Sequence, residues 1–249
     1  MTRLLRLACL ISVLLGATNA EAVIAVRQFK TAGGAGAATR AVTLTATLAG
    51  SVVACGANSD SNGGTVTSIT FTDGSSDTPT NSSKGTIIGN VGSSAMAAFF
   101  TVTTGVTTFT AHFSATPGSF TEIVCWEITG MTTPSFDKAV EAGGTTGTAM
   151  SSGATGTLAS STEIGLGYLI SNVGAAANSQ GAGWTPDGAS GNGLTTNGNF
   201  SEHIVTSTTA SITATATQGS GAFDAWAITL KVPGAVTCLA NRSLLGVGC

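Results

Sequence analysis

The sequence predicts an all-β protein: a two-sheet antiparallel β-sandwich or jelly roll of about eleven strands. Three observations lead there. Apolar residues and threonine alternate without a miss through Val42-Thr-Leu-Thr-Ala-Thr-Leu48, the pattern that turns one strand face to a core and the other to water. The same texture returns along most of the chain, and no stretch sustains a helical period. Clusters of Gly, Asn, Asp, Ser and Pro separate the apolar runs, as turns require. With 42% hydrophobic residues the chain can bury a packed core despite its 34 glycines.

Taken in order, residues 1–22 read as a secretory signal peptide. Arg3 and Arg6 form a short positive region, residues 7–15 are apolar, and a small-residue cleavage site follows at Thr18-Asn-Ala20 or Ala20-Glu-Ala22. A membrane span needs about 20 apolar residues, and Gly16-Ala-Thr-Asn19 interrupts the run first. No later segment is long and apolar enough, so the mature chain is expected without a membrane span, secreted or at the cell surface by bacterial-type export. Strands are expected at residues 23–28, 42–48, 51–55, 66–72, 95–103, 107–113, 121–129, 163–171, 200–205, 211–217 and 224–232. Residues 143–159 and 172–199 read as long Gly-, Ser- and Asn-rich loops. Together residues 23–232 make one β-sandwich domain, and residues 233–249 a cysteine-bracketed C-terminal tail.

Charge excludes one class of partner. Only 8% of residues are charged and the net charge is −3, whereas nucleic-acid binding needs clustered Lys and Arg to displace counterions. Solubility must rest on Thr, Ser, Asn and Gly. Loss of the signal peptide removes Cys9 and leaves Cys55, Cys125, Cys238 and Cys249, an even set that in an exported chain implies disulfides. Sequence proximity favours Cys238 with Cys249; Cys55 and Cys125, both on apolar strands, form the second candidate bridge or remain buried thiols.

Thr-Ala-Thr-Leu-Ala-Gly-Ser-Val-Val-Ala at 45–54, Val66-Thr-Ser-Ile-Thr-Phe-Thr-Asp73, Trp126-Glu-Ile-Thr-Gly130, Gly183-Trp-Thr185 and Trp226-Ala-Ile-Thr-Leu-Lys231 stand in that order over most of residues 42–232. In order and spacing they resemble a family of secreted bacterial and phage-borne β-sandwich domains. The resemblance implies a jelly roll similar to concanavalin and laminin-G sandwiches, and implies little about function. Ile128 departs from it, standing where that family usually carries an aromatic residue, and it does not reach the tail.

Few side chains read as chemistry. Glu127, in the apolar run Ile123-Val-Cys-Trp-Glu-Ile128, is the one candidate acid: a carboxylate in an apolar pocket has a raised pKa. Glycoside hydrolysis needs a second, spaced carboxylate, and no Glu-x-Asp-x-x-Glu run occurs. The alternative for Glu127 is a structural acid hydrogen-bonded to backbone or hydroxyls. His112 and His203 are expected to face water, with His203 and Glu202 on opposite strand faces. Asn58, Asp60 and Asn62 alternate like the first half of a calcium loop, but Ile69 occupies the glutamate position, which excludes an EF-hand and leaves a looser calcium site or an ordinary turn. Trp184 sits beside a long polar loop, placed to stack on a sugar or to cap the core. No other cofactor is implied.

Three function classes follow. The first is a non-enzymatic extracellular module for recognition or adhesion, with glycans or cell-surface components as partners. The second is a self-assembling structural subunit, with residues 23–29 donated to a neighbour's sheet from the glycine-rich tether 31–38. The third is a jelly-roll hydrolase using Glu127.

Overall fold

A computed structural model describes residues 23–60, 66–81, 92–188 and 190–232. The expected signal peptide, the tail with Cys238 and Cys249, and Asn62 lie outside them. Fifteen strands follow in chain order: β1 (Ala25–Ala35), β2 (Thr39–Thr43), β3 (Val52–Ser59), β4 (Ile69–Asp73), β5 (Thr80–Asn81), β6 (Ser94–Phe99), β7 (Thr108–Phe113), β8 (Phe120–Thr129), β9 (Ser135–Gly144), β10 (Ala149–Ser151), β11 (Glu163–Ser171), β12 (Thr185–Pro186), β13 (Phe200–Val205), β14 (Thr215–Thr217) and β15 (Phe223–Lys231). There is no helix among the described residues.

Every ladder is antiparallel. A front sheet runs β1-β8-β3-β6-β5 and a back sheet β12-β13-β11-β15-β9, while β2-β7-β4 and β10-β14 form two smaller sheets. Side-chain alternation explains why four layers exist. On β8, Val124, Trp126 and Ile128 face the back sheet and pack with Leu166, Tyr168, Trp226 and Ile228. Their neighbours Ile123 and Cys125 face the other way, against Phe109, Phe71 and Val42 of the β2-β7-β4 sheet. The back sheet does the same: Leu169, Phe200 and Ala225 turn outward and are covered by Met150, Ala214 and Ala216. A central sandwich therefore has both outer faces covered, and its central strands read as continuous apolar runs because both faces are dry.

This enlarges the expected two-sheet, eleven-strand sandwich. β5, β9, β10 and β12 were not expected as strands. The longest of them, β9, hides for a physical reason: a register shift opposite Thr229 and Leu230 breaks its alternation, so Phe136 and Ala139 face the central core while Val140 faces the β10-β14 cover. The run at 42–48 is a ladder strand only as far as Thr43. Beyond it the alternation inverts: Thr47 is buried, donating through Oγ1 to the Thr103 carbonyl (3.0 Å), and Leu48 is exposed.

The two ends of the sandwich differ. At one, Ala25 lies opposite Thr129 and Lys231 opposite Ser135 and Glu163, so β1 begins and β15 ends together over the apolar side chains Ile24, Ile128, Met131 and Leu230. At the other the inter-sheet space is polar, with Asn58, Ser94, Glu122, Asp224 and Asn199 all buried.

Candidate functional site

The polar end is built from strand termini. Asn58, Ser94 and Glu122 lie side by side on β3, β6 and β8, and Tyr168 and Asp224 reach them from the back sheet. Glu122 accepts five donors: Thr31 Oγ1 (3.0 Å), Tyr168 OH (3.1 Å), Thr195 Oγ1 (2.9 Å), the Asn197 N–H (2.9 Å) and Asn199 Nδ2 (2.7 Å). Three of these come from the end of the loop 172–199, which is thereby fixed across the front sheet. Burial is the main cause that drives the Tyr168 hydroxyl well above its ordinary pKa, with the Glu122 charge adding to it. Burial likewise pushes Asp224 up to about 7, partly offset by the Ser94 hydroxyl and the Ala225 N–H. The donating Ser94 hydroxyl itself accepts from Trp226 Nε1 (2.8 Å).

Elsewhere carboxylates hold loops by their backbone. Glu202 lies on the outward face of β13 and accepts the Gly181 N–H (3.0 Å) and the Thr215 N–H (2.8 Å), tying the same long loop to β14. Its pKa rises to about 7, chiefly through burial and also through nearby Asp187, against those two N–H groups. Asp137 accepts from Ala159 N–H and Glu163 from Ser160 N–H, both at 2.8 Å. Asp187 differs: Oδ2 accepts Trp126 Nε1 (2.7 Å) across the sandwich and Oδ1 meets His203 Nδ1 (2.9 Å).

Glu127 belongs with the loop anchors. It accepts from Arg27, Gln28 and the Leu48 N–H (2.8 Å). Burial pushes its carboxyl up, but the Leu48 N–H, Gln28, Ser51 and Arg27 outweigh it, and the pKa lies below the ordinary value. The raised pKa that a general acid would need is absent, and the geometry is that of the structural alternative.

The other candidates are placed as follows. Trp184 is 7% exposed and packs with Leu169, Phe200 and Ala216, capping the back sheet rather than offering its ring to a sugar. Asn58 Oδ1 accepts from Tyr168 OH (2.6 Å) and Asn199 Nδ2 (3.5 Å). Asp60 is buried with neither carboxylate oxygen hydrogen-bonded. No group of three or more His, Cys, Asp or Glu suited to a metal occurs among the described residues. Cys55 and Cys125 form a disulfide, directly opposite each other on β3 and β8 with Cα atoms 4.2 Å apart. His112 is half-exposed beside Thr72 (2.8 Å). His203 is a correction: it faces the inter-sheet space alongside Leu166 and is only partly exposed, because β13 is the second strand of its sheet and the loop folds Asp187 over it.

Sequence reasoning missed Glu122, Asp187, Glu202 and Asp224. Asp187 and Asp224 sit where a strand meets a turn and Glu122 and Glu202 two residues into a strand, and most of their donors are distant in sequence. The one local sign was a charged side chain at the edge of an apolar run in a chain that carries few charges.

Comparison with protein families, with curated proteins and with solved structures finds no match.

Proposed function

We propose that the chain is a non-enzymatic extracellular recognition module whose binding surface is the loop 172–199 and the edge of the sandwich it covers. One observation carries this reading: that long polar loop is fastened at both ends and in the middle by buried side chains. Glu122 and Asn199 hold its end, Asn199 also accepts the Ser171 N–H where it begins, and Asp187 and Glu202 hold its interior, the latter at Gly181. A loop fixed before it meets a partner loses little entropy on binding, which is how recognition surfaces gain affinity.

The other classes gain less support. β1 pairs with β8 over ten positions inside its own sheet, so the strand that a donor subunit would give away is in use. Glu127, the one acid suggested for hydrolysis, is saturated with donors. The resemblance to secreted jelly-roll domains fits an exported module, and we include that family in the proposal. The test is an array of neutral and acidic oligosaccharides probed with the exported protein and with Asn197→Ala, which releases the loop end from the Thr121 carbonyl. Selective binding that weakens in the variant is expected. An array with no bound oligosaccharide would sink the reading.

A further inference from the structure

Asp187 is the one described carboxylate paired with an imidazole. As a clip between the sheets it would be complete with Trp126 alone, because that indole N–H is a fully buried donor that needs an acceptor. The second oxygen is spent on His203. A carboxylate only accepts, so His203 Nδ1 carries a hydrogen, and in the neutral ring Nε2 keeps its lone pair. Among the described residues Nε2 makes no hydrogen bond, and the His203 side chain is 19% exposed. The acceptor is therefore oriented from behind and open in front.

Its neighbours fit one kind of ligand. Thr185 lies directly opposite His203 in the β12–β13 pair and is exposed; opposed residues of an antiparallel pair carry their side chains on one face, roughly 5 Å apart at Cβ. That sets a hydroxyl beside the imidazole. Trp126, the other partner of Asp187, carries the half-buried ring of Phe29 against it at 5.1 Å and 56°, on the edge strand of the front sheet. A rigid acceptor, a hydroxyl and an aromatic edge, with no Lys or Arg paired with Asp187 among the described residues, suit a neutral ligand rich in hydroxyls.

We propose that the Asp187–His203 pair is a ligand contact that accepts a hydrogen bond from a sugar hydroxyl at His203 Nε2. It rests on the recognition reading and names the chemistry of that surface. The experiment uses the exported full chain, the oligosaccharide best bound on the array, and the variants Asp187→Asn, His203→Ala and Thr185→Ala. Asp187→Asn keeps an acceptor for Trp126 but turns an amide N–H toward the ring, so the hydrogen moves to Nε2 and the acceptor is lost. Affinity is expected to fall roughly tenfold in Asp187→Asn and in His203→Ala, the equivalent of one good hydrogen bond. Nitrogen NMR of the imidazole should show the hydrogen on Nδ1 in the wild type and on Nε2 in Asp187→Asn, which reports the pair even if His203→Ala fails to fold. Hydrogen on Nε2 in the wild type overturns the proposal. So does undiminished affinity in Asp187→Asn and Thr185→Ala while Asn197→Ala weakens binding, and that result leaves the recognition reading in place. Failure of every oligosaccharide to bind removes both.

Discussion

Glu122 shows how much can depend on a single side chain. Its five donors lie at the polar end of the sandwich, four of them from side chains and one from backbone. Glu122→Gln turns an N–H₂ toward groups that themselves donate and should cost at least about 3 kcal/mol; a urea midpoint within error of the wild type would contradict this. Acid and base act on the fold through Asp224 and Glu202, both raised to about 7. Each holds its proton more tightly folded than unfolded, so the stability they contribute is complete below about pH 4 and is lost as the pH climbs toward 7. Glu127, whose pKa is lowered, works in the other direction and loses its contribution only as the pH falls below about 4. We expect Asp224→Asn, which mimics the protonated acid, to flatten the decline in stability between pH 4 and 7. Parallel curves for variant and wild type would refute the assignment. The sequence did place Glu202 and His203 on opposite faces by simple alternation. It could not place Asp187, whose bond to His203 depends on how a long loop folds back.

At the scale of elements, strands buried on both sides were readable, whereas the edge strands β5, β9 and β12 were not. β8 and β11 stand where their apolar runs put them, whereas β9 carries Asp137, Lys138 and Glu141 and changes face part-way along. Such charges on an edge strand also discourage pairing with other chains. The Cys55–Cys125 bridge, one of two pairings the sequence left open, joins neighbouring central strands and closes a span of 70 residues. Replacing both by alanine should lower stability by about 2–4 kcal/mol, measured as a loss of melting temperature that added reductant no longer deepens. In the long loop, Gly193 has a φ of +85°, and a Cβ there would come 2.1 Å from the ring of Phe200. Gly193→Ala is expected to loosen the loop before the sandwich. Amide exchange should quicken across residues 181–199 while β8 and β15 stay protected, and uniform quickening would show instead that the loop is part of the cooperative core.

For the molecule as a whole, pairing is long-range: Phe29 meets Trp126, and Val53 meets Glu127. Closing such spans must precede the contacts that reward them, so refolding should be slow, in milliseconds to seconds or longer. The disulfide-intact chain should refold faster than the double alanine variant, since the link holds β3 and β8 in register before folding starts; equal rates in stopped-flow fluorescence would mean that those strands pair late. The all-β architecture was legible because alternation survives wherever one face meets water. The third and fourth layers were not, since a strand covered on both faces looks the same whatever covers it. One further property follows from where β1 begins and β15 ends. Both meet at the apolar end, with Glu122, Asn199 and the anchored end of the long loop at the far end. Whatever is joined ahead of β1 or behind β15 therefore serves as a handle on the same side. A support, a spacer or a second domain attached at either point would leave the polar end, with the anchored end of the long loop, on the side away from the attachment.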